Sequence, residues 1–179
     1  MIAEADIYLY ERKGALARER LARHEREFRR SLLWFAQYLR AITRFARARS
    51  AIAGAQDAGS HGRRALREAS QLGRRLEREA TPWIGVLSSF VAAAVANAEG
   101  RRDDACGHLR EATRRAHETD MALHEAAAQH RLGILLGEEG RDRMRQAEQT
   151  MRAKGVHSPD RYAAMLLPGS WQPGILKSY

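Results

Sequence analysis

The chain has one cysteine, four prolines and three lysines among 179 residues. Cys106 alone forms no intramolecular disulfide, which points to a reducing compartment. The prolines stand at positions 82, 159, 168 and 173, so nearly all of the chain is free to be helical. No window alternates Val, Ile, Thr and aromatic residues as a strand would. No signal peptide is expected. The first residues, MIAEADIYLYERKG, carry acids where a basic segment and an apolar run belong, and a cytoplasmic protein is expected. Residues 80–98 hold no charge, yet the stretch falls short of a membrane span. A span needs roughly 20 apolar residues. Here Pro82 starts the helix, and Ser88, Ser89 and Asn97 interrupt it. A central helix covered by its neighbours is expected; a membrane-associated segment is the alternative.

What is present is Ala, Leu and Arg. The apolar fraction of 44% suits one domain with a core. Gly14, Gly59, Gly100 and Gly140 follow apolar helical segments at intervals of 45, 41 and 40 residues. A period near 40 is the mark of stacked helical hairpins, none of which buries its apolar face alone. The expected fold is all-α, a right-handed tetratricopeptide-like α-solenoid of about four hairpins. These cover about 1–29, 31–79, 82–118 and 120–154. A short helix follows near 160–166, and 170–179 is an irregular tail.

Eight helices fill the hairpins, over about 3–12, 15–29, 31–55, 61–79, 82–99, 103–118, 121–136 and 140–153. Gly14 is read as the stop of the first helix, Ser60 and Asp120 as N-caps, and Gly155 as the stop of the eighth. Thr81-Pro82 and Ser158-Pro159 each read as a cap followed by proline at the first helical position. Trp34 and Trp83 are expected in the core. Trp171 is expected to anchor the tail.

The run from 120 to 169 is distinctive. Met121-Ala122-Leu123, Arg131-Leu132-Gly133, Leu136-Gly137, Glu139-Gly140 and Arg161 to Gly169 resemble the C-terminal ends of large multidomain bacterial serine/threonine protein kinases, especially myxobacterial ones. Gln37-Tyr38-Leu39-Arg40, Leu76-Glu77-Arg78-Glu79 and Pro82-Trp83 fit as well. The resemblance implies the helical-repeat region of such a protein. The kinase motifs and a Walker A sequence are lacking, so no catalytic residue carries over.

Charge is uneven. Residues 1–80 hold 18 Lys and Arg against 10 Asp and Glu; the remainder holds 13 against 12. Arg40, Arg44 and Arg47 share one face of the third helix. Arg63, Arg64, Arg67, Arg74, Arg75 and Arg78 add density on the fourth. Arg40, Arg44, Arg47, Arg67 and Arg74 are the candidate partner-binding residues, because guanidinium forks hold carboxylate or phosphate bidentately. A GC-rich genome also favours Arg, and Glu68, Glu77 and Glu79 offer neutralisation. Exposed aromatics between the basic residues would help nucleic-acid binding, and the fourth helix has none; nucleic acid is not the expected partner.

His117, His124 and His130 lack metal spacing, as do Cys106 and His108. Asp103-Asp104 and Glu138-Glu139 flank turns, where a dipole or solvent role suffices. No catalytic, cofactor or metal site is expected. The expected function is a non-catalytic protein–protein scaffold of a signalling protein, binding a protein or peptide, acidic ones included, with self-association open. Binding of nucleic acid or another polyanion by the basic half is the alternative.

Overall fold

The computed structural model describes residues 2–30, 36–55 and 62–173, apart from the side chains of 25–30. Among these residues all regular structure is helical. The helices are α1 (Ile2–Tyr10), α2 (Gly14–Arg30), α3 (Gln37–Ala55), α4 (Gly62–Glu77), α5 (Pro82–Ala98), α6 (Arg102–Glu118), α7 (Ala122–Leu136), α8 (Arg141–Ala153) and α9 (Pro159–Leu166), with a 3-10 turn at Gly137–Gly140. The expected all-α class holds. Ser60, Trp34 and Gly59 lie outside the described residues.

Thr81 and Ser158 stand before Pro82 and Pro159, which open α5 and α9 at the first helical position. Proline fits there because its missing N–H has no intrahelical partner. α5 ends at Gly100, whose φ of 75° is left-handed. Arg101 N–H then reaches the Ala96 carbonyl at 2.9 Å, which closes the helix end.

Two turn assignments need correction, while Gly140 does lie in the turn between α7 and α8. Asp120 is no N-cap: it has φ 55°, and Met121 N–H returns to the Ala116 carbonyl at 2.9 Å. It occupies the left-handed position that ends α6, one that a short Asp side chain tolerates. Gly14 is not the stop of α1 but the first residue of α2. It is buried there, and a Cβ on it would lie 2.5 Å from that of Ala53 in α3. Gly140 is likewise buried. A Cβ on it would land on the Gly133 carbonyl, so these two glycines let α7 and the start of α8 meet backbone to backbone.

Consecutive helices pack on one another from α1 to α8, and both α7 and α8 touch α9. Alternate helices also meet: α1 with α3, α3 with α5, and α7 with α9. α1 also contacts α9, so the two ends of the described chain come together. The main core includes Phe45 and Ile52 of α3, Leu76 of α4, Ile84 and Phe90 of α5, Leu109 of α6, Leu132 of α7, and Leu167 and Trp171 after α9. α5 runs through it, against α3, α4 and α6. Smaller apolar clusters join α1 and α2 to α3 through Leu9, Leu21 and Ala46, and α7 to α8 through Ala126, Ala147 and Met151. Trp83 is partly buried against the main core, its ring 5.6 Å from that of Tyr38. Among the described residues no helix is long and apolar enough to cross a membrane.

Candidate functional site

The arginine row of α3 lies against α4. Arg40 donates to Glu79 at 2.9 and 3.0 Å, and Arg44 donates to the same carboxylate. Arg47 reaches Glu68 at 2.9 Å. These hydrogen bonds hold the Glu79 carboxyl down at about 2, Arg40 contributing most. Burial pulls the Arg44 guanidinium below its ordinary value, with Glu79 opposing. Three candidate residues therefore tie α3 to α4.

That pairing engages the carboxylates of the α4 region. Glu68 also takes Arg18 of α2 at 3.2 Å. Glu77 takes Arg115 of α6 through two bonds of 3.0 Å, which hold its carboxyl below the usual range. The remaining arginines of this segment, Arg63, Arg64, Arg67, Arg74, Arg75 and Arg78, are exposed. Among the described residues none has a carboxylate within ion-pair distance. Candidate residues Arg67 and Arg74 thus stand in solvent and take no part in the tie between α3 and α4.

Two further arginines lie inside. Arg49 is 4% exposed and donates to Asp6 of α1 at 2.6 Å and to the Met165 carbonyl of α9 at 3.0 Å. Its guanidinium lies 4.4 Å from the centroid of the Phe45 ring. Arg131 of α7 is also 4% exposed and donates to the Asp160 carboxylate at 3.0 Å; Arg12 reaches the same carboxylate at 2.6 Å. Burial pushes both buried guanidinium groups down from their ordinary values, while Asp6 and Asp160 oppose it. Each Nε is buried without a hydrogen-bond partner. Together these residues join α1 and α9 to α3 and α7. Sequence reasoning passed over them. The available signal was a charge on an apolar stripe: Arg49 stands among Ala46, Ala48 and Ile52, and Arg131 among Ala127, Ala128 and Leu135.

A groove of about 910 Å³ runs over α6, α7, the 3-10 turn and α8. Cys106, Ile134, Leu136 and Met144 line it with apolar surface. Arg102, Arg110 and Arg141 stand around it with Asp103, Glu138 and Glu139. Burial raises the Cys106 thiol above its ordinary value, which leaves it a poor nucleophile near neutral pH. His130 is buried, with Nε2 3.5 Å from Glu148, and burial lowers its pKa. The His124 ring sits 5.8 Å from that of Phe90, and burial, then Arg49, hold it down at about 4. Among the described residues no three His, Cys, Asp or Glu side chains gather as a metal site would require.

No protein-family model, curated protein or solved structure matches this chain. The site itself carries the functional reading.

Proposed function

We propose that the protein is a non-catalytic protein–protein interaction module, a right-handed tetratricopeptide-like α-solenoid that serves as a scaffold in a bacterial signalling protein. The contacts between consecutive helices, and of α1 with α3, α3 with α5 and α7 with α9, support the solenoid reading; α1 against α9 departs from a linear stack. The likeness to C-terminal regions of bacterial kinases supplies the signalling context. The inner row is α1, α3, α5, α7 and α9. Leu166, Leu167 and Trp171 join the main core.

The α6–α8 groove is the surface that fits a partner segment, and it is the observation that carries this reading. Its volume of about 910 Å³ suits a short helix or extended peptide. Apolar walls give affinity; charges of both signs at the margin set register. A pull-down with this chain and with Ile134→Arg, at low and high salt, tests it. A partner kept at high salt and lost from the variant is the expected result. The same partners on both proteins would sink the assignment.

A further inference from the structure

We propose that the outer face of α4 is a docking surface for the phosphate backbones of duplex DNA. At 100° per residue, Arg63, Arg64, Arg67, Arg74, Arg75 and Arg78 fall within an arc of roughly 120°. Gln71 is the other residue in that arc. Arg78 lies just past the helix, and its N–H still reaches the Arg74 carbonyl at 3.3 Å, so the row continues. The row is about 22 Å long, from 15 steps of about 1.5 Å. Glu68 and Glu77 lie outside the arc and are held by Arg18, Arg47 and Arg115. Exposed guanidinium groups of one sign, with no carboxylate at ion-pair distance among the described residues, make a surface for a polyanion.

The kind of polyanion follows from what the arc lacks. It has no apolar residue, and a protein interface needs an apolar centre. It has no aromatic residue, and single strands bind by stacking on aromatics. That absence does not weigh against a duplex, whose bases are already stacked. The apolar face of α4 is buried through Ala65, Ala69, Leu72 and Leu76, so it is not available to enter a bilayer. Five of the arginines form two rows, and Arg78 lies between them. Arg63, Arg67 and Arg74 lie on one side; Arg64 and Arg75 lie roughly 100° round the helix. With side chains extended, the rows stand roughly 10 Å apart. The major groove of B-form DNA is about 12 Å wide, so each row meets one strand. The narrow, deep major groove of A-form RNA gives no such match.

The test uses the full chain and a labelled random-sequence DNA duplex of about two turns, titrated by fluorescence anisotropy over a range of salt. Six phosphate contacts give a slope of log K against log salt of about −5. Affinity then falls about a thousand-fold between about 50 and about 200 mM salt. Arg67→Gln with Arg74→Gln brings the slope about two closer to zero and leaves helix content unchanged by circular dichroism. Arg145→Gln on α8, where Arg145 pairs with Asp142, leaves the slope as it was. A slope shallower than about −2, or no effect of the double substitution, overturns the proposal. So does equal binding of an RNA duplex, or preference for phosphatidylserine vesicles. Loss of DNA binding with groove capture intact, or the reverse, separates this proposal from the preceding one.

Discussion

Around α5, eleven side chains are buried, and all but Ser88 and Ser89 are apolar. Where α1 meets α9, the polar contacts run through Arg12, Arg49 and Arg131 to Asp6, Asp160 and a carbonyl of α9. The middle and the join therefore answer to different rules. Apolar burial stabilises at about 25 cal/mol per Å² and tolerates some change of shape. A buried guanidinium gives back most of its attraction as lost hydration, and it becomes costly once its carboxylate is gone. The middle supplies stability; the join specifies which ends meet. Arg49 and Arg131 are buried there, so they cannot exchange partners as the exposed Arg12 can.

The largest expected effect is in the middle. Phe90 is fully buried and packs on Phe45 of α3 and His124 of α7. Phe90→Ala should cost about 4 kcal/mol in urea unfolding, from lost burial and the cavity left behind. A cost below about 1.5 kcal/mol would mean that the middle is not the part that stabilises the fold.

The join should fail asymmetrically. Asp160→Asn leaves Arg131 buried and without its counter-charge. A cost of about 3 kcal/mol is expected, at the low end for a broken buried pair because Asp160 is half exposed. Arg131→Met removes the buried charge itself and leaves Asp160 with Arg12, so it should cost less than about 1.5 kcal/mol. Equal costs in chemical denaturation would show that packing governs the join as it does the middle.

Acid should reach the middle first and the α3–α4 link after it. The folded-state value of His124 is lowered from 6.5 to about 4, so the unfolded chain binds its proton first. The stability that neutral His124 contributes is complete above about pH 6.5 and is lost as pH falls towards 4. About 2 kcal/mol should go in that window, allowing for a ring that is only partly buried. Glu79, lowered from 4.5 to about 2, gives way only below about pH 4.5, and with it the Arg40 and Arg44 link between α3 and α4. His124→Gln should make the upper window of a stability–pH curve shallower, leaving the part that buried His130 contributes, and leave the lower one. An unchanged upper window would assign it to another group.

The helices were legible because their signals are local. Thr81-Pro82, Ser158-Pro159 and the apolar periodicity need no knowledge of neighbours. The basic density of α4 could be read as well. The use of Glu68, Glu77 and Glu79 could not, because three other helices supply their partners and only the packed arrangement sets that register. Gly14 and Gly140 look like turn residues in sequence, yet each marks a close helix contact. Close approach and left-handed backbone both select glycine, and one chain cannot separate them. Arg49 and Arg131 were hidden for the opposite reason. A buried charge looks like a flaw in an apolar stripe until its partner is seen.

The smallest expected effect sharpens the contrast within the glycines. Gly107 lies on the exposed side of α6, and a Cβ there would have nothing within 4 Å. Its helical backbone suits any residue, so Gly107→Ala lowers only the freedom of the unfolded chain. A gain of about 0.5–1 kcal/mol follows, seen as a rise of about 2 °C in Tm. The same change at Gly133 should act the other way. A Cβ there would lie 2.8 Å from the Gly140 carbonyl oxygen and 2.9 Å from the Met144 Cβ, so α7 and α8 would have to part. A Gly133→Ala variant as stable as the parent would show that α8 is free to shift, and that the groove it borders has no fixed shape.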